Sequence, residues 1–588
     1  MKNLKTRLFV DSIYFSPVFC GVLVAFFGYK TFNLPIFSTV LYISAFVLAL
    51  LTYCRLEVGG NEKDSMGCKI WPVLAISIII IIYALSFYDS YMNKYFSFNP
   101  IFDVDTHNIW HKDSAYNLSI IQSIINFGYP SIGLDGHKLT AYHVLSHYAD
   151  AFILTVSGLP IYDSYGFTSF VKAVFLLCSI YIFCYKYLQN VIISSIAFLF
   201  VAPFVIASWH AINSHALWLP SFILVFSAGF TFNFLYSDST PSLKKYSFIT
   251  AISILLCLGK ISTGLAYIAV IFSISFIRDY KSFRFYANAG ILLLFILFYQ
   301  KFINYSYGIP AILNLQMLSP ALIYHHLLNA DIRYEKFFIP CIAAIFSLRM
   351  CIKSEFITRL LFGVSCSFVF ILAITQAFTS FNWSDKYYFF QGLYSVVALL
   401  LCSYILSWAS SAKVEVKIKY FTSFTLISLL SFFVYQPAFS VSTINLNSIV
   451  SKYKYAETRL LTPHDKYVGG NMYSLKEYIT QSQRDNNLQR KEMAIFIPKS
   501  VVLNQIKKTN DGNANFYTMN IYAATGVQLI NGLIGNERAY GLINYEKQSA
   551  LRDSVNYNYE CSRLGIKAII IVNDYLKNNY SSYLCYSQ

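Results

Sequence analysis

Apolar runs close to twenty residues long recur from Ile13 to Tyr435, and none follows Gln436. A helix rising 1.5 Å per residue needs about twenty residues to cross a ~30 Å hydrocarbon core, so this spacing predicts a chain threaded repeatedly through lipid. The runs are Ile13 to Tyr29, Leu34 to Cys54, Ile70 to Tyr88, Phe167 to Tyr185, Val191 to Ser208 and Ala216 to Tyr236, then a hairpin from Phe248 to Phe276. Ala287 to Phe302, Tyr334 to Met350, Leu360 to Phe378, Tyr388 to Trp408 and Phe421 to Tyr435 complete the series. The expected fold is an α-helical polytopic membrane protein of about 11–13 transmembrane helices.

Charge fixes the expected orientation. Only 13% of residues are charged, against roughly a quarter in soluble domains. The net charge of +16 would suit nucleic acid in a soluble protein, but here the cations gather in alternate turns. Arg55, Lys63, Lys69, Lys186, Lys244, Lys245, Arg278, Lys281, Arg284, Arg349, Lys353, Arg359, Lys413, Lys417 and Lys419 all fall on one side. The positive-inside rule makes that side cytoplasmic, along with the N-terminus, and removes nucleic acid as a partner. Residues 1–440 then form the multi-span domain, 89–166 a large extracytoplasmic loop, and 441–588 a small extracytoplasmic α/β domain.

Two residue types not used to draw this topology agree with it. All ten histidines fall in the outer segments, and of the twelve cysteines only Cys561 and Cys585 lie in the outer domain. In an oxidising compartment those two are a disulfide candidate.

A loop of nearly eighty residues is long enough to carry function. Its apolar positions Leu118, Ile121, Ile124 and Ile125 predict an amphipathic helix from Asp113 to Phe127 on the membrane surface, stopped by Gly128, Tyr129 and Pro130. A second helix is predicted from Leu139 to Val156, with His143 and His147 one turn apart and Asp150 near the same face. Asp103, Asp105, His107, His111 and Asp113 precede these helices as a dense polar cluster.

Carboxylates and imidazoles above a lipid cavity suit proton transfer from a hydroxyl. Asp113 is the favoured base, because the first turn of a helix stabilises the ionised carboxylate. The same position suits a helix cap, and the sequence leaves both roles open. Asp103 and Asp105 with His107 are spaced to take a divalent cation such as Mg or Mn.

Lys260, in Leu258-Gly259-Lys260-Ile261-Ser262-Thr263-Gly264, is a cation at membrane depth, which suits either a ligand site or a structural role in which the side chain snorkels or pairs. Its hairpin apex rises toward the loop, where the ammonium suits a phosphate with help from Ser262 and Thr263. Arg333 suits bidentate phosphate binding, and His143, His147, His325, Trp383 and Asp385 complete the set of substrate-binding candidates, with Trp383 also suited to a membrane-interface role. In the last domain, Met493 to Ile497 and Ala568 to Val572 read as strands, the second preceded by a short helix and Gly565.

His111-Lys112-Asp113-Ser114-Ala115-Tyr116, Gly128-Tyr129-Pro130, Gly133-Leu134-Asp135-Gly136 and Tyr142-His143 resemble segments of membrane proteins from bacterial polysaccharide loci. These are similar in turn to the GT-C glycosyltransferases. The resemblance implies a donor sugar on a polyprenyl phosphate or diphosphate, a glycan acceptor, a catalytic loop carboxylate matched here by Asp113 with Asp103 and Asp105 behind it and His111 alongside, and the bacterial inner membrane. One difference is that the acidic loop follows the third span instead of the first. The same chemistry would serve an O-antigen or capsule repeat-unit polymerase. A lipid-linked glycan flippase, from another class, calls for more polar spans and two matching halves.

Overall fold

The computed structural model describes residues 112–138, 145–157, 165–205, 217–299, 354–377, 383–410, 471–508, 518–532 and 551–585, except 238, 239 and 576, together with Leu74, Ala75 and Ser77. The spans expected at Ile13 to Tyr29, Leu34 to Cys54, Tyr334 to Met350 and Phe421 to Tyr435, and nearly all of Ile70 to Tyr88, lie outside the described residues.

The chain is mostly helical. Loop helices α1 (Lys112–Phe127) and α2 (Leu145–Ser157) precede α3 (Tyr165–Leu188), α4 (Val191–Val205), α5 (Trp218–Tyr236), α6 (Leu243–Gly259), α7 (Ile261–Asp279), α8 (Phe283–Phe298), α9 (Glu355–Ala377) and α10 (Trp383–Ser410). Among the described residues, four helices are long and apolar enough to cross a membrane: α5, α7, Glu355–Thr375 of α9 and Tyr388–Ser410 of α10.

Helix α7 is the hub of this bundle, packed against α6, α9 and α10. Glycines permit the closeness. A Cβ on Gly363 of α9 would stand 2.1 Å from Ile274 Cγ1, and one on Gly392 of α10 would stand 2.9 Å from Thr263 Cα. Small residues serve this purpose where lipid supplies no hydrophobic drive between helices. Between α6 and α7 the connection is a single extended residue, Lys260. Gly264 packs on the backbone of Cys257 beside it. At the far end Tyr246 donates a hydrogen bond to Asp279, so the two helices run antiparallel.

That far end is held by guanidinium groups. Arg278 donates to the carbonyls of Phe234 (2.8 Å) and Ser237 (2.7 Å), and Arg359 to Ser237 (3.4 Å). These carbonyls close α5, where a helix lacks internal donors and its dipole favours cations.

The C-terminal unit contains α11 (Asn471–Asp485), β1 (Met493–Phe496), α12 (Lys499–Lys508), α13 (Thr518–Thr525), β2 (Gln528–Ile530), α14 (Tyr557–Leu564), β3 (Ala568–Asp574) and β4 (Asn579–Leu584). Its sheet has the order β2-β1-β3-β4, with β1 parallel to both neighbours and β4 antiparallel. Every residue of β1 is buried, as expected of a parallel strand covered on both faces. Met472, Leu475 and Tyr522 lie in the core of one face, with Met493 and Ile495. Cys561 and Ile566 pack with Ala494 and Ile569 on the other. Cys561 and Cys585 form a disulfide that ties α14 to the residue after β4.

Helix α1 is covered more fully than an apolar stripe alone requires: Ala115 to Ile124 is buried throughout, including Asn117, Ser119, Gln122 and Ser123. The apolar stripe is real, but the polar side is covered as well: α1 packs against α2 and against α13 of the C-terminal unit. The second loop helix is described over Leu145–Ser157, and the first part of its expected range, residues 139–144, lies outside the described residues.

Candidate functional site

Lys260 occupies the junction between two apolar helices and is only 8% exposed. Its ammonium lies 4.1 Å from the centre of the Tyr388 ring on α10, a cation–π contact. Ser262 and Thr263 follow in the first turn of α7, both buried. The Ser262 hydroxyl has no hydrogen-bond partner among the described residues. Buried hydroxyls nearly always have one, so an unpaired donor beside a buried ammonium is what a bound anion would complete.

The neighbouring helices bring the loop to this same end. The ring of Pro220, in the first turn of α5, stands so near that a Cβ on Gly259 would lie 2.7 Å from its Cγ. Two residues earlier, the Trp218 ring faces the Lys172 ammonium at 5.4 Å. Lys172 in turn donates to Asp150 of α2 at 2.8 Å, and the side chains are 7% and 4% exposed. One turn before Asp150, His147 is wholly buried, with Nε2 2.7 Å from Asn117 Oδ1. A carbonyl oxygen only accepts, so Nε2 carries the proton in this pair. Asn117 is one turn beyond Asp113 on α1. A chain of contacts thus leads from the helix bearing Asp113 to Lys260.

Of the candidates read from sequence, Lys260 and His147 stand at this end, and Asp113 occupies the first turn of α1. Trp383 and Asp385 begin α10, the helix whose Tyr388 touches Lys260. Asp103, Asp105, His107, His111, His143, His325 and Arg333 lie outside the described residues. Among the described residues no group of three or more His, Cys, Asp or Glu side chains is placed to hold a metal ion.

The Gly133-Leu134-Asp135-Gly136 segment performs a task that its composition did not disclose. It pairs with the outer edge of β2: Leu529 N donates to Gly133 O (2.7 Å) and Asp135 N to Leu529 O (2.8 Å). Gly133, at φ +73°, lies directly on the Tyr522 ring. Asn126 of α1 donates to Gly526 O at 3.1 Å. Arg563 of α14 closes the contact, donating to Asp135 at 2.7 Å while also bound to Glu560. Burial works against the Arg563 charge, but Glu560 and Asp135 more than offset it and raise its proton affinity above the ordinary value. Burial also raises the Tyr522 phenol.

This triad makes a direct prediction. Replacing Arg563 with methionine weakens loop docking by about 1 kcal/mol, the scale of a partly exposed ion pair. The loss shrinks as salt is added. Hydrogen exchange at Gly133 to Asp135, followed in low and high salt, measures it.

Asn117, Trp218 and Tyr388 were missed as site residues because none carries charge or a chemical motif. The pairing of Asp150 with Lys172 joins a loop helix to a span and has no local signature. No family model matches the chain, and a search of curated proteins finds no match.

Proposed function

We propose that this chain is a GT-C-like glycosyltransferase of the bacterial inner membrane. In this reading about a dozen helices span the bilayer, the N-terminus is cytoplasmic, and the loop and the C-terminal unit face outward. The enzyme moves a sugar or glycan from a polyprenyl phosphate or diphosphate to an extracytoplasmic glycan acceptor in surface polysaccharide synthesis.

The observation that carries the reading is the buried Lys260 ammonium beside the unpartnered Ser262 hydroxyl, at the end of the bundle to which the loop helices pack. A lipid-linked donor needs a cation for its departing phosphate at the membrane boundary and a base just above it. In the step proposed, the acceptor hydroxyl oxygen attacks the anomeric carbon and its proton passes to the Asp113 carboxylate. The bond from that carbon to the phosphate oxygen breaks, and the electron pair leaves with the phosphate, whose charge Lys260 and Arg333 neutralise. The start of α1 favours the ionised carboxylate that this requires. Asp103, Asp105 and His107 are the residues that would hold a divalent cation if the reaction uses one, and no step above depends on it.

Asp113→Asn in the native organism tests the proposal. Transfer is expected to fall by about 10²-fold or more, the usual contribution of a positioned acid or base. The lipid-linked donor should accumulate while the amount of protein in the membrane stays constant. Unchanged glycans in this variant, when deletion of the gene alters them, would make Asp113 a helix cap only. Unchanged glycans after deletion would end the glycosyl-transfer reading.

A further inference from the structure

The opposite end of the bundle points to a second ligand, and we propose that it is a binding surface for anionic phospholipid headgroups. The inference does not depend on glycosyl transfer. Lys244 and Lys245 lie in the first turn of α6, Lys281 in the turn after α7, and Arg284 in the first turn of α8. Arg284 donates to the Pro241 carbonyl at 3.3 Å, which brings it beside the start of α6. Lys244, Lys281 and Arg284 are exposed.

Helix stability does not explain these positions. The macrodipole disfavours cations at a helix start, and neither Ser242 nor Ser282 caps its helix through its side chain. The carboxylates described at this end are Asp279, buried with Arg278 and Tyr246, and Glu355, exposed at the start of α9. The cations near α8 are therefore not neutralised by an exposed acid on α6, α7 or α8.

What adjoins the cations identifies the partner as a lipid and not a free anion. Helix α8 rests on α6 through Phe285, Asn288 and Leu292, with Asn288 accepting from Thr250 at 2.9 Å. Beyond Tyr286 its outer positions are exposed and apolar: Leu293 is 58% exposed, Leu294 68% and Leu297 57%. Exposed Tyr286 lies in sequence between Arg284 and this stretch, and exposed Tyr280 adjoins Lys281. A basic rim, a tyrosine boundary and an apolar wall match, in order, the phosphate, glycerol and acyl regions of an anionic lipid.

The full-length protein in nanodiscs of phosphatidylcholine with phosphatidylglycerol, analysed by native mass spectrometry, tests this. Wild type should retain phosphatidylglycerol in preference to phosphatidylcholine. One basic residue near an anionic surface is worth roughly a fivefold change in affinity, so the Lys244→Gln, Lys281→Gln, Arg284→Gln triple variant should lose about a hundredfold. The Lys244→Arg, Lys281→Arg, Arg284→Lys variant should keep the preference. If the glutamine triple variant does not fold, Arg284→Gln alone carries the test at about fivefold. A wild type without preference, a glutamine variant that keeps it, or displacement of the lipid by millimolar inorganic phosphate would each overturn the proposal.

Discussion

Replacing Lys172 with methionine lowers stability by about 3–5 kcal/mol, because removing one partner of a buried ion pair leaves the other charge in a medium that cannot solvate it. The Asp150 carboxylate stays 4% exposed, 2.8 Å from where the ammonium stood. Part of the loss is the cation–π contact to Trp218, worth roughly 0.5–2 kcal/mol. The double variant Asp150→Leu, Lys172→Met should regain most of the stability, since a hydrophobic pair of similar volume often matches or exceeds a buried ion pair. Thermal unfolding in detergent, run on wild type and both variants, separates the two outcomes. A single variant within about 1 kcal/mol of wild type would mean that the pair behaves as a solvated surface bridge.

Gly133→Ala should be the most disruptive conservative substitution in the loop. Two costs add. A side chain at φ +73° is strained by about 1–3 kcal/mol, and the new Cβ would stand 2.1 Å from Cγ of the fully buried Tyr522. Overpacking of that kind costs a further 1–3 kcal/mol or so. The loop should separate from β2, and hydrogen exchange should quicken across Gln528–Ile530 and α1. Gly290→Ala is the control: a Cβ there meets nothing within 4 Å. Its helix should be unchanged or slightly more stable. Normal protection of β2 in Gly133→Ala would show that the loop tip does not hold the sheet edge.

Elements whose apolar pattern is local were legible in the sequence. The helices α3, α5, α9 and α10 overlap the runs expected for them, and the strands β1 and β3 stand where Met493 and Ala568 begin their apolar stretches. Among the described residues, four helices meet the length and apolarity needed to cross a membrane. Strands β2 and β4 escaped notice: Gln528–Ile530 is only three residues long, and Asn579–Leu584 is polar because it forms an edge. The burial of α1 was hidden for another reason. Its polar residues Asn117, Ser123 and Asn126 read as solvent-facing, yet they meet His147, the Tyr129 carbonyl and Gly526. No window of sequence contains a partner 400 positions away. Lys260 was conspicuous because an isolated charge in an apolar hairpin is rare, whereas Tyr388 and Trp218 became informative only once a cation was seen above each ring.

The strand-edge contact between Gly133–Asp135 and Leu529 also sets a timetable for biosynthesis. Asp135 and Asn531, which bond across it, are 396 residues apart. At roughly 5–20 residues per second, the loop leaves the ribosome tens of seconds before its partner strand exists. Throughout that interval the backbone groups destined for Leu529 have no mate, and helix α1 waits with its second side uncovered. Newly made chains should therefore pass through a stage vulnerable to proteases and to misplaced strand pairing. That stage ends only once the segment carrying Leu529 and Asn531 has been made.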